Sequence, residues 1–491
     1  MQNRQQNIMR LAGLGMAACI FPMLGKAEAP AAARPNILIF MADDWGWPSS
    51  PLYGDHAVKT PALERIAKDG VLFTHAYCSA PSCAPSRAAL FTGQDFWRLE
   101  EGANLLGTLP KKIPVYNDLL AQSGYVIGSA GKGYSPANLT AGGRTENPSG
   151  PSEGPAVNAG QFERFIKKVP EDKPFCFWFG SRDPHRVYKK GSGVASGMKL
   201  RDVQVPGFLP DTPEVRSDLC DYYLMVQKFN DDVMKTIAVL EKSGRYDNTL
   251  IIITGDNGMP FPHAKTQIYE YGVHQPLAIC WKGRFAGGRT VDDYTGFTDF
   301  APTILEAAGL SAPEEMTGKS LLPLLLSGKS GQIEPQRDAA FAGLERHAGS
   351  YPMRAIRTKE FSYIRNFAAD RDPNLYGRGG PAMEYMIAHK DGSAELKRLY
   401  AASFGPRPEE ELYDLQKDPY ELTNLAAAPE YADIKKKLAD RLMAHLTKTG
   451  DPRALGSGAV FDNYRTWDSK GNELPPVSRQ KMPNGGRLNR L

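Results

Sequence analysis

Asn36-Ile37-Leu38-Ile39-Phe40-Met41, running on through Ala42 into Asp43-Asp44, is the stretch from which the fold is read. Five successive large apolar residues without polar alternation describe a strand buried on both faces, as strands of parallel sheets are. Residues 174–179, 249–254 and 276–281 have the same character. Helical segments lie between them. Residues 61–69 follow Thr60 and begin with a proline, a helix-start signal. Residues 114–122 end at Ser123-Gly124, and residues 221–242 form a long amphipathic run closed by Ser243-Gly244. The alternation predicts an α/β fold: a large domain with a mostly parallel central sheet flanked by helices. After about residue 340 the pattern changes. Strand-like residues 362–366 and 411–415 and a helix over 431–447 predict a smaller C-terminal α+β domain with an antiparallel sheet.

Polar groups follow the apolar runs. Asp43-Asp44 ends the first, Arg182-Asp183-Pro184-His185 follows the second, and Asp256-Asn257 follows the third. Ligands of open α/β sheets bind beyond the carboxyl ends of strands, so these groups are expected to converge on one rim. Adjacent carboxylates repel unless a cation lies between them. Oxygen-only donors favour a hard divalent ion, Ca²⁺ or Mg²⁺; the alternative is a turn in which one aspartate caps a helix. Lys132, directly after Gly131, is either a point charge against an oxyanion or a solvated surface lysine. His185 titrates near neutrality and is the candidate proton donor to a leaving group.

The 491 residues exceed one ordinary core and suggest two domains. Apolar content of 42% with 23% charged residues is that of a globular protein. The net charge of +4, without a dense basic run, argues against a nucleic-acid partner. Arg4 and Arg10 precede an apolar stretch and then small residues around Ala27 and Ala29, which reads as an export signal over residues 1–29. The stretch is short for a membrane span and Pro22 interrupts it. Met16-Ala17-Ala18-Cys19 is not taken as a lipid-anchor site, because the apolar run continues past Cys19. Six cysteines are too sparse for a disulfide scaffold. The organisation expected is a signal over 1–29, a large domain over 34–345, an α+β subdomain over 346–470 and a loose or surface-wrapping tail over 471–491.

Cys83-Ala84-Pro85-Ser86-Arg87, continuing as Ala88-Ala89-Leu90-Phe91-Thr92-Gly93, resembles the signature of the formylglycine-dependent sulfatase family of the alkaline phosphatase superfamily. The opening strand into Asp43-Asp44 and the loop Thr254-Gly255-Asp256-Asn257-Gly258 resemble that family's two metal segments. Gly131-Lys132-Gly133-Tyr134 is similar to its second signature, with Tyr134 where the family has histidine. Arg182-Asp183-Pro184-His185, the run Asp256 to Pro262, and Tyr351-Pro352-Met353-Arg354 are similar to the heparan N-sulfatase (sulfamidase) branch, although Lys265 stands where that branch carries arginine. The likeness spans residues 34 to about 425.

The resemblance implies Ca²⁺ held by Asp43, Asp44, Asp256 and Asn257, with residue 83 completing the shell. It implies that a formylglycine-generating maturation enzyme converts Cys83, and that one hydroxyl of the aldehyde hydrate attacks sulfur. Lys132 and Lys265 would flank the sulfate oxygens, Arg87 would stabilise the hydrate, and His185 would protonate the leaving group. The second hydroxyl would then lose its proton as sulfate departs. Tyr134 either takes part or fills space, His263 is either a substrate contact or a loop residue, and the Glu345-Arg346-His347 cluster at the domain boundary is either a sugar-binding group or an exposed charged loop. The function implied is an exported sulfatase acting on a sulfated carbohydrate, a glycosaminoglycan or other polysaccharide fragment. The alternatives are a phosphatase or phosphodiesterase of the same superfamily, or a non-catalytic sugar-binding relative.

Overall fold

The structure is a computed structural model that describes residues 34–347, 349–369, 379–468 and 470–474. The expected export signal and residues 475–491 of the expected tail lie outside the described residues. Strands β1 (Asn36–Ala42), β2 (Val71–Tyr77), β3 (Val126–Gly131), β4 (Phe175–Gly180), β5 (Thr249–Gly255), β6 (His274–Cys280), β7 (Arg289–Val291) and β8 (Thr295–Gly296) form one sheet. Its order is β3-β4-β1-β5-β6-β2-β7, with β8 beside β2. The contiguous block β3-β4-β1-β5 is parallel throughout. Helices cover both faces, so every residue of β1, β4, β5 and β6 is buried.

The strand β6 departs from the parallel reading of residues 276–281: it runs antiparallel to both β5 and β2. A parallel return needs a crossover, usually a long helix. Between β5 and β6 the only helix among the described residues is the short Glu270–Val273, so the chain folds back over the strand ends instead. The long helix begins at Pro213 rather than 221. Thr212 caps it, its hydroxyl accepting from the Val215 amide, and Pro213 takes the first helical position. Val215 and Leu219 extend the helix's buried apolar stripe back to this start.

Register decides the site. Strands β1 and β5 pair from Asn36 with Thr249 to Ala42 with Gly255, so Asp43 and Asp256 leave the sheet side by side. Strands β3 and β4 pair up to Gly131 with Gly180, which delivers Lys132 and the loop to His185 at the same edge. Helix α1 (Pro61–Asp69) lies near the far end of the sheet, where Gly70 abuts β6. Helix α2 (Cys83–Thr92) has all ten residues buried. It stops at Gly93, whose φ of 65° is the left-handed conformation glycine tolerates at a helix C-terminus.

A second, antiparallel sheet is built from β9 (Ala340–Arg346), β10 (Ser350–Arg357), β11 (Phe361–Asn366) and β12 (Glu410–Asp414), in the order β12-β11-β10-β9. It starts at Ala340, ahead of the expected division after residue 345. The helix Ala432–Lys448 covers it with Leu438, Leu442 and Leu446, a stripe of i, i+4, i+8 spacing. Arg354 of β10 is fully buried. It donates to Glu345 at 2.6 Å and to Asp451 at 2.7 Å, and lies 5.0 Å from the centre of the Phe96 ring. Removing one member of a buried charge network strands the others without compensation. Arg354→Ala is therefore expected to cost about 3–5 kcal/mol, read as a lowered urea midpoint at unchanged m-value. A midpoint within error of the parent would show that the cluster does not hold the second sheet.

Candidate active site

Four ligand-bearing side chains meet beyond the strand ends. One ligand atom each from Asp43, Asp44, Cys83 and Asp256 lies within 4.8 Å of the others, and all four residues are buried. Asp44 takes a positive φ of 72°, a conformation aspartate tolerates better than most residues. Its amide thereby donates to Asp256 Oδ1 at 2.9 Å. Cys83 opens α2, and its Sγ sits 3.4 Å from Asp43 Oδ1. Asn257 donates from Nδ2 to Asp44 Oδ1 at 2.8 Å, while its Oδ1 is buried without a hydrogen-bond partner. Three carboxylates and an unengaged amide oxygen are the donor set of a hard divalent cation, and the residues fit Ca²⁺.

Three buried cations answer the carboxylates. Lys132 Nζ donates to both oxygens of Asp43 at 2.7 Å. Lys265 Nζ lies 2.6 Å from Asp44 Oδ1. Arg87 Nε donates to Asp256 Oδ2 at 2.7 Å, and its Nη2 is buried with no hydrogen-bond partner. Burial alone would raise the Asp43 pKa, but Lys132, followed by His185 and Arg87, holds it well below the carboxylate range. Burial likewise works against the charge on Lys132 and Lys265. Asp43 and Asp44 respectively overcome it, and both lysines stay protonated. The Cys83 thiol is pushed up to about 12, by burial above all, against the pull of the two lysines.

His185 reaches the same cluster from the β4 loop. Its Nε2 is 3.8 Å from Asp44 Oδ2, and Nδ1 lies 2.5 Å from the Arg186 carbonyl oxygen. Burial pulls its pKa below the ordinary value, with Asp44 opposing. Asp218 of the long helix pins this loop through a bidentate pair with Arg186 at 2.7 and 2.8 Å. Sequence reading missed Asp218, because a partner 32 residues away leaves no local signal. It also assigned nothing to Ser86, whose hydroxyl donates to the Asp256 carbonyl at 2.5 Å, or to Trp178, whose indole donates to the Lys132 carbonyl at 2.9 Å. Both fix main-chain turns that carry charged groups.

The expected substrate contacts divide. Tyr134 is 1% exposed, packed in the apolar core, and its hydroxyl has no hydrogen-bond partner, so it has no surface to offer a substrate. His263 is also removed: it is 1% exposed, its ring nitrogens face the carbonyls of Ala402 and Tyr420, and it stacks on Tyr269 at 4.2 Å. Burial takes its pKa down to about 3. Arg346 is buried and donates to Thr466 at 2.9 Å, tying β9 to the short strand Thr466–Trp467, and Glu345 is engaged by Arg354. His347 alone of that set faces the cluster. Its half-buried ring contacts Ser82, the residue before Cys83, at 2.8 Å, and feels the charges of Lys265, His185 and Lys132. A pocket lined by such groups binds an anion and stabilises charge that grows on it.

Comparison with known proteins gives this geometry a family. The Sulfatase family profile matches residues 35–310, and the profile of the N-sulphoglucosamine sulphohydrolase C-terminal region matches residues 261–400. An ulvan-active sulfatase of Formosa agariphila is 31% identical over 449 residues, covering 87% of this chain and 83% of that protein. Human N-sulphoglucosamine sulphohydrolase is 29% identical over 500 residues, covering 88% and 93%. A solved structure of a protein with its substrate D-glucosamine 2-N,6-O-disulfate superposes with a TM-score of 0.65. It is 21% identical and covers 86% of this chain and 99% of that one.

Because the Tyr134 hydroxyl is buried and unpaired, Tyr134→Phe is expected to leave kcat/KM for a sulfated saccharide within about twofold of the parent, as a substitution that disturbs no reacting group does. A loss of about tenfold or more would return Tyr134 to the site.

Proposed function

This chain belongs to the sulfatase family and is a sulfatase, and on that premise we propose that it hydrolyses sulfate from a sulfated saccharide of the glycosaminoglycan or algal-polysaccharide kind. The observation that carries the reading is the convergence of Asp43, Asp44, Asp256 and Cys83 with Lys132, Lys265 and His185. A saccharide substrate is supported by the relatives, one named for ulvan and one for N-sulphoglucosamine. The metal-capable cluster of the described residues contains a cysteine and no histidine, which favours this chemistry over a phosphatase built on zinc. The reading includes export through residues 1–29 and maturation of Cys83 by a formylglycine-generating enzyme.

Asp43, Asp44, Asp256 and Asn257 would hold Ca²⁺, which when bound draws charge from the sulfate oxygens. Formylglycine at position 83 would supply a hydroxyl nucleophile. An unconverted Cys83 would not, since a thiol titrating near 12 carries almost no thiolate at neutral pH. The remaining work belongs to the chain. Lys132 and Lys265 present ammonium groups that their aspartates keep charged, and these oppose negative charge building on the sulfate oxygens. Arg87 fixes Asp256 and, through Nη1, the Lys132 and Gly133 carbonyls, so the lysine turn and the acidic cluster keep one spacing. His185 donates from Nδ1 to the Arg186 carbonyl and turns Nε2 to the side of the cluster, so the proton it would give a leaving atom is the one Nε2 carries when the ring is protonated.

Three outcomes are expected. Peptide mass spectrometry should find Cys83 converted to the aldehyde in active preparations, and Cys83→Ala should release no sulfate; sulfate release by Cys83→Ala would overturn the nucleophile. Lys265→Ala should lower kcat/KM about 10²–10³-fold, the scale of losing one preorganised charge partner, measured below the lowered melting temperature expected when Asp44 loses its cation. Chelated protein should regain about 2.7 kcal/mol of stability at Ca²⁺ a hundredfold above Kd, and Asp44→Ala should regain none. Equal stabilisation of both proteins would place the ion elsewhere.

A further inference from the structure

The function read above requires three proton transfers. The attacking hydroxyl of residue 83 loses one, the leaving atom gains one, and the remaining hydroxyl loses one as sulfate is expelled. His185, on the Asp44 side of the cluster, is assigned the second. When sulfate is later expelled, the remaining hydroxyl of residue 83 must lose its own proton to a base. Lys132 and Lys265 cannot serve, because their aspartate partners keep them protonated. Tyr134 is sealed in the core.

One other imidazole reaches the cluster, and it comes from the second sheet. The connection from β9 to β10 carries His347 over the start of α2. There its Nδ1 lies 2.8 Å from the hydroxyl of Ser82, the residue before Cys83. Ser82 takes the capping position of α2, yet its side chain makes no capping hydrogen bond; its hydroxyl turns to the histidine instead. In the tautomer that donates its Nδ1 proton to Ser82, Nε2 carries the lone pair, and Nε2 makes no hydrogen bond to a described residue. Burial, then the facing charges of Lys265, His185 and Lys132, hold the ring well below the usual histidine range and so neutral. Those cations lower the ring's basicity in the empty site, and an anion bound between them offsets their charge, so an anchored imidazole with its second nitrogen unengaged can then accept a proton.

We propose, resting on the sulfatase reading, that His347 is the base that accepts at Nε2 the hydroxyl proton of residue 83 as sulfate is expelled. The proton passes to Nε2. The electron pair left on that oxygen becomes the carbon–oxygen double bond of the aldehyde. The bond from the same carbon to the sulfate oxygen breaks, and sulfate leaves with that pair. The imidazolium returns its proton to water.

The test separates the two products. Aldehyde-bearing wild type and His347→Gln are mixed with D-glucosamine 2-N,6-O-disulfate, and desulfated sugar and inorganic sulfate are quantified separately in a quenched time course. His347→Gln should release one equivalent of desulfated sugar at close to the wild-type rate, then slow about 10²-fold or more in releasing sulfate. The peptide containing residue 83 should meanwhile gain the mass of one SO₃ unit. Ser82→Ala, which frees the ring without removing it, should show a milder form of the same split. Added imidazole should restore sulfate release to His347→Ala. Slowing of both products together, or of neither, or accumulation of the sulfated peptide in His185→Gln instead, would overturn the proposal. Should the aldehyde-bearing wild type release neither product from this sugar or from a panel of N-, 2-O- and 6-O-sulfated glycosaminoglycan and ulvan saccharides, the functional reading itself fails. Should it release both while His347→Gln shows no split, only the role of His347 falls.

Discussion

Three carboxylates are gathered into a pocket where each is almost wholly removed from water, and the rest of the structure is arranged around that constraint. Bare, such a cluster would be driven to take up protons or to come apart, since the penalty for burying an unpaired charge reaches several kcal/mol per ion. Here each acid has its own cation: Asp43 with Lys132, Asp44 with Lys265, Asp256 with Arg87. Because opposite charges are held a few ångströms apart, Lys132 and Lys265 stay protonated and Asp43 is held below the ordinary carboxylate range. The same balance leaves the site able to accept a divalent ion and a sulfate together.

The sheet provides this arrangement cheaply. Parallel strands in register deliver their following residues to one edge, and the four strands β3-β4-β1-β5 do so from positions spread between Asn36 and Gly255. The helix α2 then brings Cys83 up to that edge, fixed from behind by Ser86 on the Asp256 carbonyl. The loop after β5 returns without a crossover helix, which turns β6 antiparallel and lets the loop pass over the strand ends with Lys265 on it. The topological irregularity and the second lysine therefore share one cause. The second sheet closes the remaining side, where the turn after β9 lays His347 against Ser82.

Much of this was legible in the chain. Unbroken apolar runs such as Ile37 to Met41 can only be buried strands, and acids directly after them must fall at the carboxyl edge. The spacing of Cys83, Pro85 and Arg87 on one helical turn, with Gly93 to end it, was equally readable. Readings stayed open where a residue type suited two environments. Tyr134 and His263 carry groups able to bind sugars, and each lies beside a site segment in sequence. Neighbouring positions nevertheless point to opposite sides of a turn, and both rings went into the interior. Arg346 and His347 are adjacent, yet one is bonded to Thr466 within the fold and the other faces the acids.

Local composition and periodicity determined the α/β layering, the second sheet and the acids at the strand ends, because burial of apolar runs and the chemistry of side chains are properties of short segments; Cys83 and Lys265 were singled out by the resemblance of their segments to a family. Only the tertiary structure decided which side chains share a pocket. Partners such as Asp218 for Arg186, Ser82 for His347 and Asp44 for Lys265 stand far apart in the chain. Their meeting depends on strand order, register and the direction of each loop, and those are set by the packing of the whole molecule.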